Sequence, residues 1–188
     1  MTMTVGARRI VYAPPGTVKP GRACIFLDRD GVLNIDHGHV HTPARFDWIA
    51  GAADAVKRLG DLGYLIVVAT HQSGIARGMY DETIFKTLSD WMVSELARAG
   101  ARIDAVYYCP HHPTEGRGEL RTVCACRKPA PGMLTAALTD YRLDAARSLF
   151  IGDKDTDMEA AAAAGVRGLK FPGGDLDAFM RANMPLLR

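Results

Sequence analysis

The stretch Ile25-Phe-Leu-Asp28-Arg-Asp30-Gly31 decides the fold, because an apolar run ends there abruptly in two aspartates and a glycine. The apolar residues 23–27 predict a short buried strand of a parallel sheet. Asp28 and Asp30 lie two positions apart, so in an extended segment both carboxylates leave the same side of the chain. Ligands of open α/β folds bind beyond the carboxyl ends of the strands. The pair therefore predicts a divalent-metal site with a nucleophile and a proton donor beside it. The alternatives are a calcium-binding loop and a solvated turn. The calcium-binding loop fits poorly, because its glycine belongs at the sixth position.

The composition bounds the class of protein. With 188 residues, 48% hydrophobic and 23% charged, the chain is typical of one globular domain spanning residues 1–188. It has no apolar run near the ~20 residues of a membrane helix, and residues 1–21 lack the apolar core of a signal peptide. A net charge of +2 does not indicate a nucleic-acid surface. Three of the four cysteines are clustered and do not resemble a disulfide framework. We therefore expect a cytoplasmic, monomeric protein with a small-molecule substrate and no membrane or nucleic-acid partner.

Strand and helix patterns alternate along the chain. Beyond the first strand, apolar runs predict strands at 64–69, 103–108, 148–151 and 166–171. Helical spacing predicts helices at 51–62, 81–100, 132–141 and 155–164, and a short tail helix at 176–180. Proline and glycine clusters before residue 22 predict an irregular leader. The alternation predicts an α/β fold with a doubly wound, Rossmann-like parallel sheet.

Polar clusters follow several of these strands. Thr70-His-Gln-Ser73 follows the second strand, Arg127-Lys128 closes a cysteine-containing loop, and Asp153-Lys-Asp155-Thr-Asp157 follows the fourth strand. Each cluster alone has an ordinary explanation: a strand-end hydroxyl, a solvated lysine or a helix cap. Because the carboxyl ends of parallel strands meet at one edge of the sheet, the clusters together predict one crevice.

Phosphoryl transfer is the chemistry that needs such a set. A phosphate dianion repels an attacking carboxylate, so Asp28 needs a cation beside it to approach phosphorus. We expect Asp28 and Asp153 to bind Mg²⁺ through carboxylate oxygens. Asp30 would add a backbone carbonyl while its side chain moves the proton. Thr70 and Lys128 would hold the phosphoryl oxygens.

A second cluster of metal-ligand residues lies in the loop after the third strand. Cys109-Pro-His111 and Cys124-Ala-Cys126 supply three thiolates and one imidazole, a set that suits tetrahedral Zn²⁺ and leaves no open position for catalysis. We therefore expect a structural zinc site that folds the loop and places Arg127 and Lys128. The alternative is a group of buried or redox cysteines. His112 rivals His111 as a ligand, and Cys24 is expected in the core.

The segment Asp36-His-Gly-His39-Val-His41 follows the first strand. It is interpreted as a loop that contacts the substrate. A metal site or a solvated histidine cluster is the alternative. The segment Gly74-Ile-Ala-Arg77-Gly78 could direct backbone N–H groups toward a phosphate, although this signal is weak by itself.

Asp28-Arg-Asp30-Gly, Thr70, Lys128 and Asp153 resemble the four motifs of the haloacid dehalogenase superfamily of aspartyl-phosphate phosphatases. More narrowly, residues 24–170 resemble its heptose bisphosphate phosphatase family. The segments that carry this second resemblance are residues 28–34, 36–41, 72–78, 108–113, 124–129 and 152–154. The resemblance implies a fold without a large cap domain, in which short loops select the substrate.

The resemblance also implies site residues. Asp28 would be the nucleophile and Asp30 the general acid and then base. The implied Mg²⁺ ligands are Asp28, Asp30 and Asp153, and the implied Zn²⁺ ligands are Cys109, His111, Cys124 and Cys126. The implied substrate contacts are Asp36, His37, Gly38, His39, Thr70, His71, Gln72, Ser73, Arg127, Lys128 and Lys154. His71 stands where the family usually has Asn, which puts one hydrogen bond of the family pattern in question.

Other functions compete with this interpretation. Histidinol-phosphate phosphatases resemble the chain in the aspartate motif and the cysteine loop, whereas residues 36–41 and 72–78 fit the heptose family better. A phosphatase of nucleic-acid ends would share the aspartate chemistry but is disfavoured by the small positive charge. A non-catalytic, zinc-stabilised binding module would leave the acidic strand ends without a purpose.

Overall fold

A six-stranded sheet organises the computed structural model, which describes residues 6–187. The strands are β1 (Arg8–Val11), β2 (Cys24–Leu27), β3 (Leu65–His71), β4 (Ala105–Cys109), β5 (Leu149–Gly152) and β6 (Arg167–Lys170). The helices are α1 (Ala52–Asp61), α2 (Ser73–Ala76), α3 (Glu82–Arg98), α4 (Gly132–Tyr141), α5 (Asp155–Ala163) and α6 (Leu176–Asn183). Their order alternates strand and helix from β2 onward, as the sequence predicted.

The strand order in the sheet is β1-β4-β3-β2-β5-β6. β2 to β6 pair in parallel, and the chain winds outward from β2 first through β3 and β4 and then through β5 and β6. The winding direction therefore reverses between β2 and β5. A crevice opens at such a reversal, beyond the carboxyl ends of the two strands. The doubly wound sheet is confirmed.

The predicted irregular leader is wrong over part of its length. Residues 8–11 form β1, which pairs antiparallel with β4 at the edge of the sheet. Its side chains are mostly exposed, and Arg8 and Arg9 form ion pairs with Glu82 and Asp140. The strand therefore lacks the apolar run on which the sequence analysis relied. Residues 1–5 of the predicted leader lie outside the described residues.

Two hydrophobic clusters cover the two faces of the sheet. One joins β-strand side chains to α1, α3 and α6 through residues such as Leu59, Phe85 and Leu176. The other joins them to α4 and α5 through Leu134 and Ala161, and it includes the buried Cys24, as expected. Because helices pack on both faces, the central strands are apolar except at the carboxyl end of β3, where Thr70 and His71 lie.

The connections at the crevice end are loops. Between β2 and α1 the chain forms only a 3-10 turn, Pro43–Arg45, and between β3 and α3 only the one-turn helix α2. Within the described residues, no cap domain is inserted at either place. The loop at this end that follows β4, residues 110–131, is called the cysteine loop below. None of the helices in residues 6–187 has the length and apolar character needed to cross a membrane.

Candidate active site

Asp28 lies at the carboxyl end of the central strand β2 and is 5% exposed. Its backbone N–H donates to the carbonyl of Ile151 at 2.9 Å, which extends the pairing of β2 with β5 past the last strand residue. Its side chain accepts a hydrogen bond from the N–H of Arg29 at 2.7 Å. Burial raises the pKa of Asp28 to about 6, although nearby Lys128 opposes the shift. The carboxylate is therefore fixed at the topological reversal, with one side open to the crevice.

Lys128 is the buried cation of the site. Its Nζ lies 3.0 Å from Asp28 Oδ2 and 2.6 Å from Asp157 Oδ1, and it donates to the carbonyl of Ala69 at 3.2 Å. Burial opposes the charged form, but the two carboxylates outweigh it and raise the pKa of Lys128. A buried ammonium is stable only with such partners. Lys128 therefore remains charged beside Asp28.

Three carboxylates meet at the same place. Oxygens of Asp28, Asp153 and Asp157 all lie within 4.8 Å of one another. Octahedral Mg²⁺ has oxygens at about 2.0–2.1 Å, which sets opposite ligands about 4.2 Å apart. Asp153 Oδ1 is buried and has no hydrogen-bond partner among the described residues. The donor set therefore fits a hard divalent cation.

Gly31 makes room for this cluster. Its φ is +91°, and a Cβ built there would lie 2.4 Å from Asp153 Oδ2. A side chain at residue 31 would therefore displace the carboxylate of Asp153 as well as strain the backbone. The glycine of the Asp28-Arg-Asp30-Gly31 motif is required by both effects.

The side chain of Asp30 faces away from this triad. Its oxygens accept from Arg29 Nη2 at 2.9 Å each, from Asn34 Nδ2 at 3.0 Å and from Gln72 Nε2 at 3.4 Å. A metal contact from Asp30 would therefore come from its backbone carbonyl, as the sequence analysis expected.

The open cavity above these residues has a volume of about 290 Å³. Nearly all the predicted substrate contacts line it: Asp36, Gly38, His39, Thr70, His71, Gln72, Ser73, Arg127, Lys128 and Lys154. His37 does not, because its ring turns outward to Asp47, with Nε2 2.6 Å from Oδ2. Asp28 and Asp30 line the cavity, whereas Asp153 lies in the acidic cluster beneath it.

The cations of the cavity lie at two depths. Lys128 is buried at the base of the cavity, where the hydroxyl of Thr70 is also buried. Arg127 is half-buried, and Lys154 is exposed. Lys154 Nζ lies 3.2 Å from Asp36 Oδ2, which joins the loop after β5 to the loop after β2. The cavity can therefore hold one anionic group at its base and another at its mouth.

His71 joins the end of β3 to the cysteine loop. Its Nε2 accepts a hydrogen bond from the backbone N–H of Lys128 at 2.5 Å. Burial, with the positive charges of Lys128 and Arg127, lowers the pKa of His71 to about 2. The ring is therefore neutral and carries its proton on Nδ1. It holds the Arg127-Lys128 segment against β3.

The second ligand set is also assembled. Sγ of Cys126 lies 3.3 Å from Cys124 Sγ and 3.4 Å from His111 Nδ1. Sγ of Cys109 lies 3.5 Å from Cys124 Sγ and 3.6 Å from His111 Nδ1. Tetrahedral Zn²⁺ with bonds of about 2.0–2.3 Å places its ligand atoms roughly 3.5–3.8 Å apart. The four residues therefore fit a closed zinc site.

His112 is turned away from the thiols. Its Nδ1 accepts from the N–H of Glu115 at 2.9 Å, and its Nε2 lies 3.2 Å from Arg77 Nη2. Arg77 also pairs with Glu115. The cysteine loop is thus tied to the segment after β3, and Arg127 Nη1 reaches the carbonyl of His111 at 3.3 Å.

The sequence analysis did not assign a role to Asp157 or Tyr80. Asp157 is fully buried at the start of α5, where its Oδ2 accepts from the N–H of Lys154 at 3.0 Å. Since both of its oxygens already have partners, it is better placed to hold Lys128 than to bind an ion. Its spacing of four from Asp153 was the available signal. Tyr80 is a buried cavity residue with no such signal.

Comparisons with known proteins agree with this geometry. A family model for HAD-hydrolase-like proteins matches residues 125–178. The D-glycero-beta-D-manno-heptose-1,7-bisphosphate 7-phosphatase of Salmonella typhi is 52% identical over 142 residues, 76% of this chain and 76% of the relative. The chain belongs to this phosphatase family. Family members are phosphoric monoester hydrolases, so the protein is an enzyme of that class.

Two solved structures extend the match to the fold. A HAD-like phosphatase from Mesorhizobium loti superposes with a TM-score of 0.82 at 30% identity, over 100% of this chain and 97% of that one. The D,D-heptose 1,7-bisphosphate phosphatase from B. bronchiseptica, complexed with magnesium and phosphate, gives a TM-score of 0.73 at 36% identity, over 86% of each chain. The family membership therefore holds at the levels of sequence and fold.

Proposed function

We propose that this protein removes the 7-phosphate of D-glycero-β-D-manno-heptose 1,7-bisphosphate through a phosphorylated Asp28. The observation that carries the proposal is the pair of cation positions, at the base and at the mouth of one cavity. A sugar with phosphates at its two ends would match both. The substrate named for the relatives has this form.

The base of the cavity supplies the attack. Two unit charges 4 Å apart interact by about 4 kcal/mol at an effective dielectric near 20. The ammonium of Lys128, 3.0 Å from Asp28, offsets this repulsion between carboxylate and phosphate. Asp28 then bonds to phosphorus as the bond to the sugar oxygen breaks. Thr70 and Lys128 would hold the phosphoryl oxygens during the transfer.

Asp30 would manage the proton. As the phosphorus–oxygen bond breaks, the electron pair stays on the sugar oxygen, which takes the proton of the Asp30 carboxyl group. The resulting carboxylate then takes a proton from the water that attacks phosphorus, and Asp28 leaves as a carboxylate. The carboxyl group is thereby restored, and inorganic phosphate is released.

The mouth of the cavity would hold the second phosphate. Arg127 presents a guanidinium, whose planar fork suits bidentate binding of a phosphate. Its bond to the carbonyl of His111 ties it to the cysteine loop. Lys154 is paired with Asp36 and would add a second positive charge. We assign both residues to recognition of the anomeric phosphate.

Two metal ions complete the proposed enzyme. Asp28 and Asp153, with the backbone carbonyl of Asp30, would hold Mg²⁺, which when bound neutralises charge on the carboxylate and the phosphate. Cys109, His111, Cys124 and Cys126 would hold a structural Zn²⁺. We place the reaction in the cytoplasm, in the synthesis of ADP-heptose for the lipopolysaccharide core, with a monomeric enzyme.

The test is an assay of purified protein with both anomers of the heptose bisphosphate and with histidinol phosphate. We expect faster phosphate release from a bisphosphate, with ³¹P NMR showing that the anomeric phosphate remains. The variant Asp28→Asn should be inactive and remain folded by circular dichroism. Preference for histidinol phosphate would refute the proposed substrate, and substantial turnover by the variant would refute the covalent route.

A further inference from the structure

Gln72 is almost completely buried between three polar side chains. Its Nε2 donates to Thr70 Oγ1 at 2.9 Å and to Asp30 Oδ2 at 3.4 Å. Its Oε1 accepts from the hydroxyl of Tyr80 at 2.7 Å. A primary amide has two hydrogens to donate, and both point to acceptors inside the protein, at an ordinary distance for Thr70 and at a long distance for Asp30. The amide hydrogens are therefore directed at protein side chains.

The hydrogen-bond partners define the orientation of this amide. The NH₂ end of Gln72 faces the acceptors Thr70 Oγ1 and Asp30 Oδ2. The carbonyl end must then face Tyr80, which donates. Tyr80 is itself held by a parallel stack on His41, with ring centroids 4.8 Å apart. Gly74 packs under the tyrosine ring, where a Cβ would lie 2.2 Å from Cε1.

The two groups that Gln72 holds belong to the proposed reaction. Arg29 and Asn34 contact Asp30 from its own loop, and Gln72, which directly follows β3, adds a longer contact of 3.4 Å. Thr70 Oγ1 accepts from Gln72, so its own hydrogen is left to donate; in this structure that hydrogen has only a long bond, 3.4 Å, to the carbonyl of His71. Alignment of a proton donor within a few tenths of an ångström affects its rate strongly.

We propose that Gln72, anchored by Tyr80, is a positioning residue that aligns the proton donor Asp30 and the hydroxyl of Thr70, instead of contacting the substrate as the family resemblance implied. The inference rests on the proposed function, because it needs Asp30 to protonate a leaving group. It adds Tyr80 to the set of residues on which that step depends.

The experiment compares two leaving groups. A sugar oxygen needs a proton as it departs, whereas the phenolate of p-nitrophenyl phosphate departs without one, so the formation of phosphorylated Asp28 depends on the acid Asp30 for the first substrate only. The loss of Thr70 alignment and the later attack of water are common to both substrates. In Gln72→Met, we expect kcat/KM, which reports the steps up to departure of the leaving group, to fall at least about tenfold more for the sugar phosphate than for p-nitrophenyl phosphate, with KM for the sugar phosphate unchanged.

Tyr80→Phe is the second variant, and it keeps the ring on His41 while removing the anchor of the amide. The rate on the sugar phosphate should fall about threefold or more relative to the rate on p-nitrophenyl phosphate. This variant tests the proposal if Gln72→Met does not fold. Tyr107→Phe is the matched control, since the hydroxyl of this buried tyrosine donates to Asp140 instead of Gln72, and it should leave the ratio of the two rates unchanged.

Equal losses on both substrates in the two variants would overturn the proposal. So would a raised KM with an unchanged kcat, which would indicate a direct substrate contact. Wild-type rates on the heptose bisphosphate test the proposed function separately. If they are negligible, the same ratio is measured with any alkyl phosphate that the wild-type enzyme hydrolyses.

Discussion

Lys128 Nζ lies closer to Asp157 Oδ1, at 2.6 Å, than to Oδ2 of Asp28, the proposed nucleophile, at 3.0 Å. The carboxylate of Asp157 therefore draws the ammonium to one side and keeps it from pairing exclusively with Asp28. Both groups are buried, so their attraction is screened little by solvent.

Asp157→Asn should move Lys128 toward Asp28 and make the nucleophile less reactive. We expect kcat to fall at least about tenfold, or about 1.4 kcal/mol in the activation barrier, with little change in the Mg²⁺ concentration for half-maximal activity. The control is Asp155→Asn on the same helix, where the aspartate is exposed and paired with Lys170. A large rise in the Mg²⁺ requirement of Asp157→Asn would instead assign this residue to the ion.

Gly31→Ala tests the crowding against Asp153. The new Cβ would overlap Asp153, so both stability and phosphatase activity should fall, the stability by about 1 kcal/mol or more. Gly63→Ala is matched in backbone geometry, with φ +92° against +91°, but its Cβ would meet open space. The control should lose stability and keep its activity. Equal activities for the two variants would show that Asp153 tolerates displacement.

Arg127→Ala tests recognition of the second phosphate. A charge-assisted hydrogen bond contributes about 1.5–3 kcal/mol, so kcat/KM for the bisphosphate should fall roughly ten- to a hundredfold. The rate on p-nitrophenyl phosphate should change little, because that substrate has one phosphate. Arg121→Ala, on the exposed part of the same loop, is the control. Equal losses on both substrates would remove Arg127 from substrate choice.

Zinc removal should unfold the cysteine loop. A strong chelator, or the variant Cys124→Ala, should abolish zinc content and lower Tm, because structural zinc contributes on the order of 10 kcal/mol to folding small modules. Cys24→Ala should retain the metal, since Cys24 lies in the core away from the ligand set. Bound zinc by elemental analysis and limited proteolysis within residues 110–131 are the measurements. Unchanged Tm and proteolysis after zinc loss would count against a structural role.

Asp177 gives the fold a pH-dependent contact. Hydrogen bonds from Arg58 Nε and Nη2, at 2.8 and 3.1 Å, hold the pKa of Asp177 below its ordinary value of 3.8. Its contribution to stability is therefore fully present above that value and is lost as the pH falls through the lower folded-state pKa. Asp177→Asn should be less stable than wild type in urea at pH 7, and the difference should shrink below pH 4. The exposed Asp61→Asn should show little difference at either pH.

The assembly of the site residues in one crevice was predictable because they follow strand ends. Asp28, Thr70 and Asp153 each come directly after or at the end of a buried apolar run, and parallel strands bring such ends together. The grouping of Cys109, His111, Cys124 and Cys126 was predictable from residue type and spacing alone. These signals are local in sequence, and the parallel sheet then brings the residues that carry them to one edge.

Other features depend on burial, which residue type does not reveal. Asp153, Asp155 and Asp157 look alike in the sequence, yet Asp157 is fully buried on Lys128 while the Asp155 side chain is 82% exposed. Tyr80 enters the site only because the turn after α2 folds back over Gln72. β1 is held by backbone pairing with β4. Because it begins with two exposed arginines, it contains no apolar run from which a strand would be predicted.

The antiparallel strand β1 also has a practical consequence for anyone who shortens this chain. The recognisable motifs begin at residue 24, and a truncation there would strip β1 from β4. Every residue of β4 is buried, so the truncation would expose an apolar edge strand whose unpaired backbone N–H and C=O groups are open to pairing with another molecule. Because β4 ends at Cys109, aggregation through that edge strand would also disturb the loop that carries Arg127 and Lys128.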